Sequence, residues 1–129
     1  TRTFFLDFAD DYQKDFYDTV LKANLLGIEK SLVGNTLNDV DDSVLNSLEQ
    51  SRYSEFVVHK TGHGLGLDVH EDPYVMRGNE EKLEEGMVIT IEPGLYNPKS
   101  LGVRIEDDVH ITLGVPEILT SFTKNLTII

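Results

Sequence analysis

The apolar residues of this chain change their spacing once, near Tyr53, and that change limits the possible folds more than any other feature. Before Tyr53 they recur at three- and four-residue steps, which is typical of amphipathic helices. After it the apolar segments are short, rich in β-branched residues and bounded by Gly, Pro or Asn, which is typical of strands joined by turns. Two helices followed by a sheet predict an α+β fold.

The boundaries of the two helices follow from the same spacing. The first helix is predicted from Asp10 to about Glu29, and the segment 33–36, VGNT, interrupts the pattern. A second apolar stripe starts at Val40, with Asn38 or Asp39 available as the N-cap. Four later segments are predicted to be strands: EFVVH (55–59), MVITIEPGLY (87–96), GVRIEDDVHIT (102–112) and EILTSF (117–122).

Composition restricts the class of protein. With 129 residues, 40% of them hydrophobic and 26% charged, the chain fits one globular domain. Because it has no cysteine, thiolate metal sites and thiol nucleophiles are excluded, which leaves oxygen and imidazole as metal ligands. The net charge of -12 and the scattered Lys and Arg disfavour nucleic acid and anionic lipid as partners. We expect a cytoplasmic protein without nucleic-acid or membrane partners.

Three of the four histidines lie in the stretch HKTGHGLGLDVHEDP, residues 59–73. Histidines at i, i+4 can share one face of a helix, but each interior glycine costs a helix about 1 kcal/mol relative to alanine. Gly62, Gly64 and Gly66 therefore argue against a helix. We predict a non-helical path on which glycine lets the backbone run close to a ligand, or else a tight turn.

Strand alternation groups the acidic residues that follow. Alternate residues of an extended strand share a face, so Glu92 ends the polar face of segment 87–96, while Arg104 and Glu106 share the polar face of segment 102–112. A carboxylate among β-branched neighbours is costly unless it is paired or binds a metal. His plus Glu plus Glu is a ligand set suited to Mn, Co, Zn or Fe.

Each of these residues also has a purely structural interpretation. Glu92 would simply be exposed at a strand end, and Glu106 would pair with Arg104 in a salt bridge. The remaining histidine, His110, is expected to be a surface or core position without a role. Only the joint occurrence of the histidines and acidic residues, in this order, favours a site.

Three segments, HKTGHGLGLDVHEDP, GMVITIEPGLY and GVRIEDDVHIT, resemble in order and wording the C-terminal half of the pita-bread metallopeptidases. The resemblance is to the Xaa-Pro aminopeptidase and prolidase branch. Methionine aminopeptidases share the GHG and EP elements, but their last ligand glutamate lies in a different local sequence. The resemblance implies an incomplete pita-bread (creatinase/aminopeptidase-like) fold, with two N-terminal helices followed by a mostly antiparallel curved sheet.

The activity implied by the resemblance is that of a metal-dependent exopeptidase. Such an enzyme releases the N-terminal residue from Xaa-Pro peptides or splits Xaa-Pro dipeptides, through a hydroxide that bridges two divalent ions (Mn, Co or Zn) and attacks the peptide carbonyl. By the same resemblance, His63, Glu92 and Glu106 would be metal ligands, with Glu106 bridging both ions and Glu92 also moving protons as a catalytic residue.

The resemblance also implies substrate-binding residues. His70 would contact the substrate near the scissile carbonyl and steady the oxyanion as a second catalytic residue. His59 would lie in the pocket on the proline side, and Arg104 would lie beside the bridging carboxylate. The expected partner is a peptide with proline at its second position, and the complete protein is expected to be a homodimer.

Two further ligands of this family are aspartates of the N-terminal half, the second just upstream of a TRTF stretch. This chain begins at that TRTF, so we expect residues 1–129 to be a single partial catalytic domain that binds at most one ion weakly and is inactive alone. Asp7 and Asp18 are spaced rather like the missing pair, but their context does not match, and we expect surface acids.

Three other interpretations stay open on the sequence. The protein would be a non-catalytic peptide- or protein-binding module on the same fold, or a methionine aminopeptidase. Alternatively, this chain would function only when a separate N-terminal half pairs with it.

Overall fold

The computed structural model describes residues 1–129 and consists of two packed helices followed by short strands. In chain order the elements are β1 (Phe4–Phe5), α1 (Asp11–Lys30), α2 (Leu37–Glu49), a 3-10 turn (Ser54–Phe56), β2 (Gly62–Gly64), β3 (Glu71–Val75), β4 (Val88–Ile91), β5 (Gly94–Asn97), β6 (Leu101–Arg104), β7 (Asp107–His110), β8 (Glu117–Ile118) and β9 (Thr127–Ile128). The α+β class predicted from the sequence is confirmed.

Nearly all strand pairs are antiparallel. Five strands form one sheet in the order β3-β2-β4-β7-β8, and β5 pairs with β6 in a separate hairpin. The one parallel pair joins β1 to β9, the first and last strands of the chain. A single strand, β4, therefore lies between the histidine-bearing β2 and the strand β7 that follows Glu106.

Both helices begin with a capping box. Asp10 caps α1: its carboxylate accepts the Gln13 N–H, and its own N–H donates to the Gln13 side-chain oxygen. The cap of α2 is Thr36, so the prediction of Asn38 or Asp39 was wrong. The helix starts before Val40, where the apolar stripe was predicted to begin, because the fully buried Leu37 is already its first residue. Asp39 occupies the N3 position of the capping box.

The strand predictions were correct in the middle of the chain and less so at its edges. Segments 87–96 and 102–112 each form two strands, separated in the first by Glu92 and Pro93. Segment 117–122 pairs only through its first two residues. Segment 55–59 was wrongly predicted to be a strand, because part of it completes a 3-10 turn and Phe56 and Val57 pack against the helical core.

Two apolar clusters hold the helices against the strands. The first includes side chains of α1, α2 and the hairpin β5-β6, among them Val103; the second joins α2 to β4 and β7 through Ile89, Ile91 and Val109. Burying one such side chain contributes about 1.5–3 kcal/mol. Because the apolar faces of β4 and β6 point into these clusters, their polar faces point the other way.

Gly27 of α1 lies at a close contact between the two helices and the sheet. A Cβ built there would lie 2.7 Å from Val44 Cγ2 of α2 and 2.8 Å from Ile91 Cγ2 of β4. Both neighbours are fully buried and have no room to move away. Gly27 therefore sets the distance at which α1 packs on α2 and the sheet.

A buried carboxylate ties both ends of the chain to β7. Asp107 is fully buried and accepts hydrogen bonds from Arg2 Nη2 at 2.6 Å, Thr120 Oγ1 at 2.6 Å and Lys124 Nζ at 2.9 Å. Burial opposes ionisation, but the bonds from Thr120, Arg2 and Lys124 outweigh it and hold the pKa of the Asp107 carboxyl below its usual value.

We expect Gly27→Ala to destabilise the protein although alanine is the better helix former. Overpacking a core costs about 1–3 kcal/mol, whereas the helix gains about 1 kcal/mol from the substitution. Denaturant unfolding should show a net loss of about 1 kcal/mol. Gly114→Ala is the control, because no atom lies within 4 Å of its added Cβ. A gain in stability for Gly27→Ala would contradict this packing.

We expect Asp107→Asn to lower the free energy of unfolding at pH 7 by about 3–5 kcal/mol, because Arg2 and Lys124 lose their buried partner. Since the folded-state pKa is depressed, the carboxylate stabilises the fold above about pH 4 and loses this effect as the pH falls further. The difference between wild type and variant, followed by thermal unfolding, should therefore shrink in acid. Asp108→Asn, on the same strand without such partners, should leave the pH profile unchanged.

Candidate metal centre

His63 lies at an irregularity in β2. The register of β2 against β3 shifts between His63 and Gly64, and β-bulges of this kind re-aim side chains next to active sites. The preceding Gly62 is required by a close approach: a Cβ there would lie 1.9 Å from the carbonyl oxygen of Thr90 on β4. Glycine thus allows β2 to approach β4 closely. The stretch is non-helical, as predicted, and its approach to a ligand stays a prediction.

The ring orientation of His63 leaves one nitrogen available as a ligand. Its Nδ1 lies 2.8 Å from the carbonyl oxygen of Gly64, which can only accept, so Nδ1 carries the proton and donates. Nε2 then lies 3.1 Å from Oε1 of Glu92, with the imidazole 5% exposed. A lone pair facing a carboxylate oxygen is favourable only if a proton or a cation lies between them.

Thr90 fixes the relative position of His63 and Glu92. Its hydroxyl accepts a hydrogen bond from the His63 N–H at 3.0 Å and donates one to Glu92 Oε1 at 3.3 Å. The Glu92 N–H donates in turn to the Thr61 carbonyl at 2.8 Å. Backbone and side-chain bonds therefore bring the ends of β2 and β4 together.

Glu106, between β6 and β7, completes the cluster. One donor atom each from His63, Glu92 and Glu106 lies within 4.8 Å of the others. Burial raises the pKa of the Glu106 carboxyl, but other interactions, among them the hydrogen bond from the Thr1 hydroxyl and the charge of Arg104, lower it. The carboxylate is therefore ionised at neutral pH, as metal ligation requires.

The donor set and its spacing fit a divalent metal. One imidazole nitrogen and two carboxylate oxygens suit Zn, Mn, Co or Fe. Two ligands that share an ion at about 2.0–2.2 Å each are separated by about 3 Å, which is close to the 3.1 Å between His63 and Glu92. The residues therefore fit the metal that the sequence suggested.

His70 lies beside the cluster, on an exposed segment. Its ring centroid is 4.4 Å from that of His63. Next to it is a cavity of about 310 Å³ that opens to solvent and has one wall from the cluster. It is lined by Leu65, Gly66, Leu67, Asp68, Val69, Thr90, Glu106 and Asp108.

His59 and Arg104 belong to one hydrogen-bonded chain. Arg104 Nε donates to the Tyr96 hydroxyl at 2.7 Å, and His59 Nε2 lies 2.9 Å from the same hydroxyl. Since His59 Nδ1 donates to the Lys60 carbonyl at 2.7 Å, its Nε2 accepts from Tyr96. Arg104 Nη1 also lies 3.6 Å from Glu92 Oε2, so the chain ends at the cluster.

The purely structural roles considered for the charged residues and His110 are met in some cases and not in others. The salt bridge between Arg104 and Glu106 does not form, because Arg104 approaches Glu92 instead. His110 pairs with Glu117 at 3.0 Å and lies outside the cluster, and its lack of a role stays a prediction. Asp7 and Asp18 are exposed and lie outside the cluster, as predicted for surface acids.

Sequence reasoning missed Tyr96. The register of the hairpin places it opposite Gly102, and its side chain covers Gly94, where a Cβ would lie 2.5 Å from the tyrosine hydroxyl. Glycines at these two positions leave room for the ring. The two glycines are visible in the sequence, but their relation to Tyr96 becomes apparent only when β5 is known to pair with β6.

Neither helix is long and apolar enough to cross a membrane.

The comparisons of this chain with known proteins all indicate the same peptidase family. The model of metallopeptidase family M24 matches residues 1–113. A putative dipeptidase YkvY of Bacillus subtilis is 43% identical over 100% of this chain, and an Xaa-Pro dipeptidase of Pyrococcus horikoshii is 42% identical over 98%. The chain covers 36% of each of these relatives, matching their C-terminal part.

The fold comparison agrees. The solved structure of an Xaa-Pro dipeptidase from Bacillus anthracis superposes with a TM-score of 0.95 at 38% identity, over 99% of this chain and 36% of that one. Part of a pita-bread fold, as expected from the sequence, is confirmed. The chain belongs to metallopeptidase family M24.

Proposed function

We propose that the protein containing this chain is a metal-dependent exopeptidase that cleaves after the residue preceding proline, in Xaa-Pro dipeptides or longer peptides. The observation that carries the proposal is the convergence of His63, Glu92 and Glu106 within 4.8 Å, in a chain of the M24 family. The names of the similar proteins from Pyrococcus horikoshii and Bacillus anthracis support the substrate class.

The three converging residues act as ligands in this proposal. Two divalent cations in such a site acidify water and polarise a peptide carbonyl. His63 offers Nε2 because its Nδ1 is held by Gly64, and Glu106 offers an ionised carboxylate. Glu92 holds its Oε1 toward His63, leaving Oε2 on the side of Arg104, where it can take up and return a proton.

The remaining histidines act on the substrate. His70 is exposed and lies against His63, so its ring can donate a hydrogen bond to the oxyanion that develops beside the cluster. His59 and Arg104 are oriented by Tyr96, which fixes two groups for the proline side of the peptide. Removing one oxyanion donor costs about 100- to 1,000-fold in turnover in comparable sites.

We further propose that residues 1–129 are a partial catalytic domain whose site is completed by aspartates outside this chain. The amino nitrogen of Thr1 lies 3.2 Å from Glu106 Oε2, so a residue bonded to that nitrogen would reach the cluster. The chain alone would then bind at most one ion weakly. The identity of the metal (Mn, Co or Zn), the homodimer and the cytoplasmic location remain predictions.

Two alternatives are less well supported. A non-catalytic binding module has no need of three converging donors, all of which are present here. A methionine aminopeptidase would share the GHG and EP segments but not the RIEDD sequence around Glu106.

In the complete protein, Glu106→Ala should abolish hydrolysis of an Xaa-Pro dipeptide and reduce bound metal, measured by product release and elemental analysis. The loss should exceed about 100-fold, because a ligand matters more than the groups that orient it. His110→Ala is the matched control, since His110 pairs with Glu117 away from the cluster. If the protein were a non-catalytic binding module, neither variant would change its binding of peptide or protein. Unchanged hydrolysis by Glu106→Ala would refute the proposal.

The 129-residue chain, purified alone and supplied with Mn²⁺, should not cleave an Xaa-Pro dipeptide that the complete protein cleaves. The physical reason is that three ligands cannot hold two ions in the place where the peptide must bind. Turnover by the isolated chain at a rate near that of the complete protein would show that the additional aspartates are unnecessary.

A further inference from the structure

The carboxylate of Asp41 lies in the middle of α2 and takes no part in the chemistry proposed above. It is 1% exposed, and its Oδ1 accepts a hydrogen bond from the Thr61 N–H at 3.0 Å. Thr61 is itself 1% exposed. A buried acidic side chain of a helix thus binds the backbone of the segment that leads into β2.

Thr61 connects Asp41 to two of the proposed ligands. Its carbonyl oxygen accepts the Glu92 N–H at 2.8 Å, and the chain continues through Gly62 to His63. Because β2 approaches β4 at Gly62 so closely, a shift of Thr61 cannot be absorbed there without moving His63 or Glu92. Asp41 therefore holds a backbone unit that contacts both sides of the cluster.

Stability alone does not explain an acid at this position. Asp41 Oδ2 and Thr61 Oγ1 are both buried and form no hydrogen bond of good geometry, and poorly paired buried polar atoms cost stability. Burial also raises the pKa of the Asp41 carboxyl, and the nearby Thr61 side chain and N–H, the Arg77 backbone and the Arg77 charge oppose this only in part. A helix residue chosen only for packing would be apolar, like its neighbour Val40.

We propose that Asp41 is a positioning residue: its Oδ1 holds the Thr61 backbone against β4 so that His63 Nε2 and Glu92 Oε1 converge on one ion. The inference rests on the proposed metal site. Without this acceptor the buried Thr61 N–H has no partner, and the segment 61–63 moves to find one. The separation of 3.1 Å between the two ligand atoms then increases.

Three variants of the complete protein separate positioning from simple destabilisation. Asp41→Ala removes the acceptor, whereas Asp41→Asn keeps an oxygen for the Thr61 N–H and adds an N–H₂ donor that Thr61 Oγ1 can accept. Val44→Ala is the matched control, because Val44 lies one turn further along α2, is fully buried and makes no bond to Thr61. Asp41→Ser replaces Asp41→Ala if the latter does not fold.

The first measurement is Mn²⁺ affinity, by electron paramagnetic resonance of free Mn²⁺. We expect Asp41→Ala to bind about 10- to 100-fold more weakly than wild type, the range for groups that orient ligands. Asp41→Asn and Val44→Ala should stay within about threefold of wild type, although Val44→Ala unfolds more easily. An Asp41→Ala affinity equal to wild type, or an equal loss in Val44→Ala, would overturn the inference.

The second measurement separates this inference from the proposed function. Crystal structures of the metal-free proteins should show a longer distance between His63 Nε2 and Glu92 Oε1 in Asp41→Ala, but not in Asp41→Asn. If wild type binds none of Mn²⁺, Co²⁺ and Zn²⁺ while this distance responds to Asp41→Ala, the proposed metal site fails and the positioning role stands. If the distance does not respond, the positioning role fails whatever the metal affinity.

Discussion

The candidate site depends on how closely β2 approaches β4 at Gly62. A side chain there would overlap the Thr90 carbonyl, so the two strands could not come together with any residue other than glycine. Their approach lets the Thr90 hydroxyl join the His63 N–H to Glu92, and it places the imidazole against the carboxylate. The packed helices, the strand order and the hydrogen bonds around the site together hold β2 against β4 at Gly62.

The groups of the site divide into a buried, hydrogen-bonded part and a more exposed part. His63 and Glu92 are held by backbone bonds from neighbouring strands and are largely shielded from water. His70 and Arg104 are more exposed. Ligands on rigid strands and substrate groups on a more accessible rim suit a site that must keep its geometry and still admit a peptide.

Short-range periodicity explains why much of this could be predicted from sequence. The alternation that placed Glu92 and Arg104 on polar faces is a local property of β4 and β6, and their apolar neighbours do enter the core. The strand prediction for segment 55–59 failed because its residues satisfied the same pattern, although Phe56 and Val57 pack against the helical core outside any strand. Contacts such as Asp41 with Thr61 join residues far apart in sequence, so no local pattern encodes them.

The pairing of β1 with β9 has a consequence for the order in which the chain folds. The contact between Phe4 and Thr127 closes a loop that contains nearly the whole chain, whereas α1 and α2 meet through neighbouring segments. The chain must lose the entropy of closing this loop before such a distant contact can stabilise the fold. We therefore expect the helical pair to form early in folding and the β1-β9 pair to form late.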